Sequence, residues 1–160
     1  MATTAEKTAF INRVWNEIKG EEMTGFFPSV LIAQAALESN WGQSSLAAKY
    51  NNYFGIKAGS SWTGQTVNMK TNEVFSGVNT TVNSDFRVYN SLIDSIRDRN
   101  RLLSTSRYAS VKQTSTPLAQ AEAIKNSGYA TALSYVNSIM SVVNANSLTK
   151  FDELKKNYEQ

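Results

Sequence analysis

Phe26-Phe27-Pro28-Ser29-Val30-Leu31-Ile32-Ala33-Gln34-Ala35-Ala36-Leu37-Glu38-Ser39-Asn40-Trp41-Gly42 is the stretch around which the chain is organised. It carries a single ionisable side chain, Glu38, and no other occurs between Glu22 and Lys49. Pro28 suits the first turn of a helix, where its missing N–H costs nothing. Gly42 suits a stop. Read as a helix, Leu31, Ala35, Glu38 and Trp41 recur at spacings of three and four and share one face. Glu38 then lies near the helix C-terminus beside apolar groups. Apolar surroundings and the negative end of the helix dipole both disfavour its charged form. A carboxylic acid kept protonated near neutral pH can give its proton to a leaving group. The competing reading is a Glu on a solvated last turn, the common fate of Glu in helices. The pattern alone leaves both open.

Outside this stretch the composition narrows the chemistry. The chain has 160 residues, 41% hydrophobic and 18% charged, which predicts one globular domain over 1–160. A net charge of +3 favours an anionic surface. The basic residues are scattered rather than clustered, so no nucleic-acid partner is expected. There is no Cys and no His. Disulfides, thiol nucleophiles, Ser-His-Asp triads and His- or Cys-ligated zinc are thereby excluded. No glycine-rich phosphate loop is present. In an enzyme without an organic cofactor, acid–base work falls to Glu, Asp, Lys or Tyr, and a hydrolase built on carboxylates leads the enzyme classes by elimination. No segment resembles a signal-peptide core or a membrane span. The expectation is a protein made in the cytoplasm, monomeric and not inserted in a membrane.

The remaining elements follow from local signals. Thr4 to about Gly20 predicts a helix with Phe10, Ile11, Val14, Trp15 and Ile18 as its packed stripe. Ser44 caps a short helical turn. Ala58 to Gly64 reads as a loop, in which Trp62 either lies against a ligand or covers the core's edge. Gln65 to Tyr89 is rich in Thr and Val without a helical period, and predicts a hairpin turning at Ser76-Gly77. Met69, Thr71, Glu73 and Phe75 fall on one face of it. Glu73 is the one acid between Glu38 and Asp85, and by pattern reads first as an ordinary exposed strand residue. Ser91 caps a helix to about Leu103 with Leu92, Ile96 and Leu103 inward; the run of Arg97, Asp98, Arg99 and Arg101 reads as its solvated face. Thr116-Pro117 starts a helix ended by Ser127-Gly128. Tyr129-Ala130-Thr131 is a loop, and Ser134 caps a last core helix with Tyr135, Ile139, Val142 and Val143. Phe151 to Gln160 predicts a peripheral helix or frayed tail.

Several blocks, in order, resemble glycoside hydrolase family 73, the N-acetylglucosaminidases of bacteria and phages (mannosyl-glycoprotein endo-beta-N-acetylglucosaminidase-like, of flagellar-rod and autolysin type). Gln34 to Gly42 resembles the family signature. Tyr50-Asn51-Asn52-Tyr53-Phe54-Gly55-Ile56-Lys57 matches its second block. Thr71-Asn72-Glu73 stands where the family carries a second acid. Phe86 to Ser91 resembles the next block, and Gly128-Tyr129-Ala130-Thr131 with Tyr135 the last. There Ala132-Leu133 replaces the usual Asp-Pro. The match runs from about Phe26 to Leu148.

The resemblance implies a mainly α, α+β, lysozyme-like fold, with a helical lobe, a small antiparallel β-hairpin lobe and a cleft between them. It implies hydrolysis of the peptidoglycan bond between N-acetylglucosamine and N-acetylmuramic acid. Glu38 would be the general acid, Glu73 would stabilise positive charge on the sugar or activate water, and Tyr129 would sit near Glu38. Trp62, Phe54, Tyr53 and Asn52 are the expected sugar contacts, and no metal or cofactor is needed. Retaining, inverting and substrate-assisted routes all remain open; carboxylates about 5–5.5 Å apart suit the first and about 6.5–9.5 Å the second. The rivals are an N-acetylmuramidase cutting the alternate bond and a wall-binding module without turnover. Without a leader, release by a phage, carriage on a virion or secretion within a longer chain would bring the domain to the wall.

Overall fold

The computed structural model describes residues 1–159. Helix α1 (Thr4–Ile18) begins with a capping box, Thr3 accepting from the Glu6 amide while Glu6 reaches back to the Thr3 amide. It buries Phe10, Ile11, Val14 and Ile18. Helix α2 (Pro28–Ser39) is the centre of the molecule. Pro28 to Ala36 are all buried, so this helix is enclosed on every side rather than amphipathic. It contacts α1, α5, α6 and α7. The sequence predicts a helix reaching Trp41; it ends two residues earlier. Asn40, Trp41 and Gly42 have φ of 48°, 58° and 81°, a left-handed run that turns the chain out of the helix after Ser39, one residue past Glu38. Trp41 therefore leaves the α2 face and meets Phe10 edge-to-face.

Helix α3 (Ser45–Tyr50) is capped by Ser44. Strands β1 (Thr66–Phe75) and β2 (Val78–Arg87) form an antiparallel hairpin in which Glu73 faces Thr80 and Val67 faces Phe86. Its turn is Ser76-Gly77, both with positive φ, matching the primed hairpin turn that strand twist favours. Val67, Met69, Thr71 and Glu73 form the half-buried face; Phe75, at the turn, is exposed. At the hairpin's base, Ala58 and Arg87 amides bond the Asp85 and Ile56 carbonyls, which ties the loop after α3 to β2.

Helix α4 (Leu92–Leu102) follows the Ser91 cap, then α5 (Pro117–Asn126) follows the Thr116 cap. Helix α6 (Tyr135–Ala145) begins after Ser134, whose side chain makes no capping bond. Helix α7 (Thr149–Tyr158) is more than a tail. Phe151 and Lys155 are buried, and the Lys155 ammonium donates to the Lys19 carbonyl at 3.1 Å and to that of Glu21. Gln160 lies outside the described residues. Two residues on α4 also differ from expectation. Asp98 and Arg99 do not line a solvated face; both are buried. Asp98 binds Arg87 at 2.9 Å, Arg101 and the Tyr89 hydroxyl, clamping the hairpin's base to α4.

Candidate active site

Glu38 occupies the last turn of α2, where helix carbonyls lack partners. Its side chain is largely enclosed, and burial pushes its pKa up from 4.5 to about 7. The Tyr135 hydroxyl, which can donate to the charged form, pulls the other way, and the negative charge of Glu73 adds to the rise. Backbone comes close to the carboxyl at Gly55, which has φ of 64°. A Cβ there would stand 3.2 Å from Glu38 Oε2, so both the turn and the approach call for glycine.

Three side chains pack behind Glu38. The Tyr129 hydroxyl donates to the Phe54 carbonyl at 2.6 Å, and its ring lies 6.4 Å from that of Tyr135. Gln34, one turn before Glu38, donates from Nε2 to the Tyr135 hydroxyl at 3.0 Å. Gln34 Oε1 in turn accepts from Arg99 Nε at 3.0 Å. Both tyrosines have pKa values raised well above normal, first by burial and then by the Glu38 charge.

Glu73 stands on β1, close enough for its charge to be felt at Glu38. Its carboxylate is paired with the Lys57 ammonium and accepts from Thr131 Oγ1 at 3.4 Å. Thr131 also accepts from the Val74 amide at 3.4 Å. The α5–α6 loop thus touches both lobes, through Tyr129 on the helical side and Thr131 on the hairpin. Lys57 and Tyr135 were not among the expected site residues, although both lie in the blocks that carry the resemblance.

The expected sugar contacts are a different matter. Asn52, Tyr53 and Phe54 are buried to 2% exposure or less, and their side chains cannot lie against a glycan in this structure. Asn52 is a staple: its amide nitrogen donates to the Ile56 and Arg87 carbonyls, and its oxygen accepts from the Ile56 amide. Tyr53 stacks on Phe10, and Phe54 sits under Arg99. What this block offers the site is backbone, at Phe54 and Gly55, and the Lys57 side chain. Trp62 is half-buried and covers the hairpin's base. Its indole N–H donates to the Gln65 carbonyl at 2.9 Å, and the Arg87 guanidinium lies 4.8 Å over the ring. It lines an open pocket of 640 Å³ with Tyr89, Asp94, Asp98 and Arg101, and neither Glu38 nor Glu73 reaches that pocket. Among the described residues no cluster of acidic side chains is arranged to hold a metal ion.

A helical lobe carrying one largely enclosed acid, set against a two-stranded hairpin carrying a second carboxylate, defines a lysozyme-like domain. Residues 17–148 match the model of the Glucosaminidase family, described as mannosyl-glycoprotein endo-beta-N-acetylglucosaminidase, and the chain belongs to that family. It is 38% identical over 133 residues to the exo-glucosaminidase LytG of Bacillus subtilis, covering 79% of this chain and 46% of that protein. It is 37% identical over 160 residues to a probable N-acetylmuramidase of Lactococcus lactis subsp. cremoris, covering 94% of this chain and 36% of that protein. The chain thus spans less than half the length of these curated relatives. Among solved structures, a peptidoglycan hydrolase mutant from Sphingomonas sp. A1 superposes with a TM-score of 0.80 at 36% identity, covering 89% of this chain and 96% of that one.

Proposed function

We propose that this chain is a single catalytic domain that hydrolyses the glycan strands of peptidoglycan, as an endo-β-N-acetylglucosaminidase. The bond cut is the β-1,4 link from N-acetylglucosamine to N-acetylmuramic acid. The observation that carries this reading is Glu38: an acid raised to about 7 by burial, facing a second carboxylate on the hairpin. At neutral pH such an acid keeps its proton in about half of the molecules, where an ordinary glutamate has lost it, and can pass it to the glycosidic oxygen as that bond breaks. Positive charge then develops on the sugar ring, and the ionised Glu73, kept in place by Lys57 and Thr131, answers it or activates water. Tyr129 acts by packing: it fixes the Phe54 carbonyl beside Glu38.

The domain works as a monomer on the bacterial wall, and a basic chain suits that anionic substrate. No helix among the described residues is long and apolar enough to cross a membrane. The second reading, a muramidase, has one observation in its favour: the Lactococcus relative aligned over 160 residues carries that name. Clearing of purified walls, followed by analysis of the new reducing ends, separates the two. N-acetylglucosamine ends support the glucosaminidase and N-acetylmuramic acid ends the rival. Intact walls after prolonged incubation would remove both.

A further inference from the structure

Arg99 is fully buried on α4, yet it forms no ion pair with any carboxylate among the described residues. Its guanidinium lies over Phe26 at 5.2 Å and Phe54 at 5.8 Å. Nη1 donates to Asn100, Nε donates to Gln34, and Nη2 has no partner. A buried cation without a counter-charge is costly, so a compensating role is expected.

The hydrogen-bond directions supply one. Arginine has donors only. The Gln34 amide must therefore turn its oxygen toward Arg99 and its NH2 toward Tyr135, as found at 3.0 Å each. The Tyr135 oxygen is then an acceptor on that side, and its one proton must go elsewhere. Glu38 is the carboxyl group that faces Tyr135. Tyr129 does not compete, because its proton is committed to the Phe54 carbonyl. We propose that Arg99, Gln34 and Tyr135 form a one-way hydrogen-bond relay that positions the proton of Glu38. One carboxyl oxygen accepts from Tyr135, and the acid's own proton is confined to the other oxygen. Arg99, Gln34 and Tyr135 are positioning residues; none of them touches the scissile bond. The proposal rests on reading Glu38 as the acid.

The groups that face Glu38 are Tyr135 from α6, Tyr129 from the α5–α6 loop and Glu73 from β1, with Lys57 beside Glu73 and Arg99 behind Gln34. Donation from Tyr135 favours the carboxylate, so weakening it raises the Glu38 pKa. The test is a carboxyl-carbon NMR titration of the folded protein, with the Glu38 signal assigned by its loss in Glu38→Gln. In Tyr135→Phe, Glu38 should titrate about one unit higher. Gln34→Met should move it in the same direction, and the double variant no further than Tyr135→Phe alone. Additive shifts, or a Gln34→Met curve superimposable on wild type, overturn the relay. Should Gln34→Met not fold, Gln34→Glu keeps the shape, gives Arg99 an anion and takes the Tyr135 proton for itself. The Glu38 titration should then rise at least as far as in Tyr135→Phe, and an unmoved one overturns the proposal. The readout is a titration and not lysis, so a protein that failed to clear walls would sink the proposed function and leave this result standing.

Discussion

The last turn of α2 and the end of strand β1 each present a carboxylate, and they hold it in opposite ways. Glu38 lies in a helix enclosed by α1, α5, α6 and α7, with no cation bonded to it among the described residues. Glu73 lies on a two-stranded hairpin, its side chain 17% exposed, with a lysine and a threonine on its oxygens. Burial without a counter-charge keeps a proton on; an ion pair keeps a charge. The same residue type becomes donor material in one lobe and a standing anion in the other. That division is the pairing of unlike carboxylates on which glycoside hydrolysis depends.

Glu38→Gln tests the contrast most severely. Wall clearing should fall by about 10²–10⁴-fold, the range that a positioned acid contributes. Stability should move the other way. The folded-state pKa of Glu38 is raised above its unfolded value, so the folded protein holds that proton more tightly. Its stabilising effect is complete below pH 4.5 and is lost as pH rises to about 7. Above that window wild type carries a penalty of about 3 kcal/mol that Gln does not. Denaturant melts should therefore show the variant gaining stability at pH 8 and little at pH 4. Equal stability at both pH values would mean that burial does not hold the proton.

The hairpin side should respond more gently. Glu73→Gln should cost about 10²-fold in lysis, as loss of one charge-stabilising group does elsewhere. It also removes a negative neighbour, so Glu38 should titrate lower by about 0.3–0.5 unit. Lys57→Met does the reverse. It leaves the Glu73 charge uncompensated, so the pH at which activity falls off should move up by a similar amount. Carboxyl-carbon titrations and pH profiles of wall clearing read both. Shifts of the same sign in the two variants would break the contrast between the lobes.

Much of this was legible from sequence because its signals are local. Ser44, Ser91 and Thr116 all accept from backbone amides at the helix starts their patterns predict, whereas Ser134 does not. Ser76-Gly77 is the turn, and Glu38 sits near its helix end. What was missed depends on residues far apart in the chain. Arg99 reads as one more charge on a charged helix, and only the packing of Gln34, Phe26 and Phe54 around it reveals that it is buried. Asn52, Tyr53 and Phe54 have the composition of a sugar-binding block, but residue type does not say which way a side chain points. Their block reaches the site through the Phe54 carbonyl, through glycine at 55, and through Lys57, whose partner is sixteen residues on.

The N-terminal end of α2 provides the smallest test. Its N-cap, Phe27, has no side chain able to accept from the free amides. Asp152, from α7, does so at 123 residues' separation, accepting from the Ser29 amide at 2.8 Å and from its hydroxyl at 2.7 Å. Gln120 accepts from the Phe27 amide at 2.9 Å. Asp152→Ala should cost about 1–2 kcal/mol, the usual loss on removing a helix cap, measured by urea unfolding near neutral pH. Lysis per folded molecule should be unchanged, and so should the Glu38 titration, because α2 between Pro28 and Ala36 is packed on all sides and passes little of the loosened end along. A shifted Glu38 titration in Asp152→Ala would mean that the cap at one end of α2 tunes the acid at the other. Enclosure of the last turn would then no longer be enough to explain the retained proton.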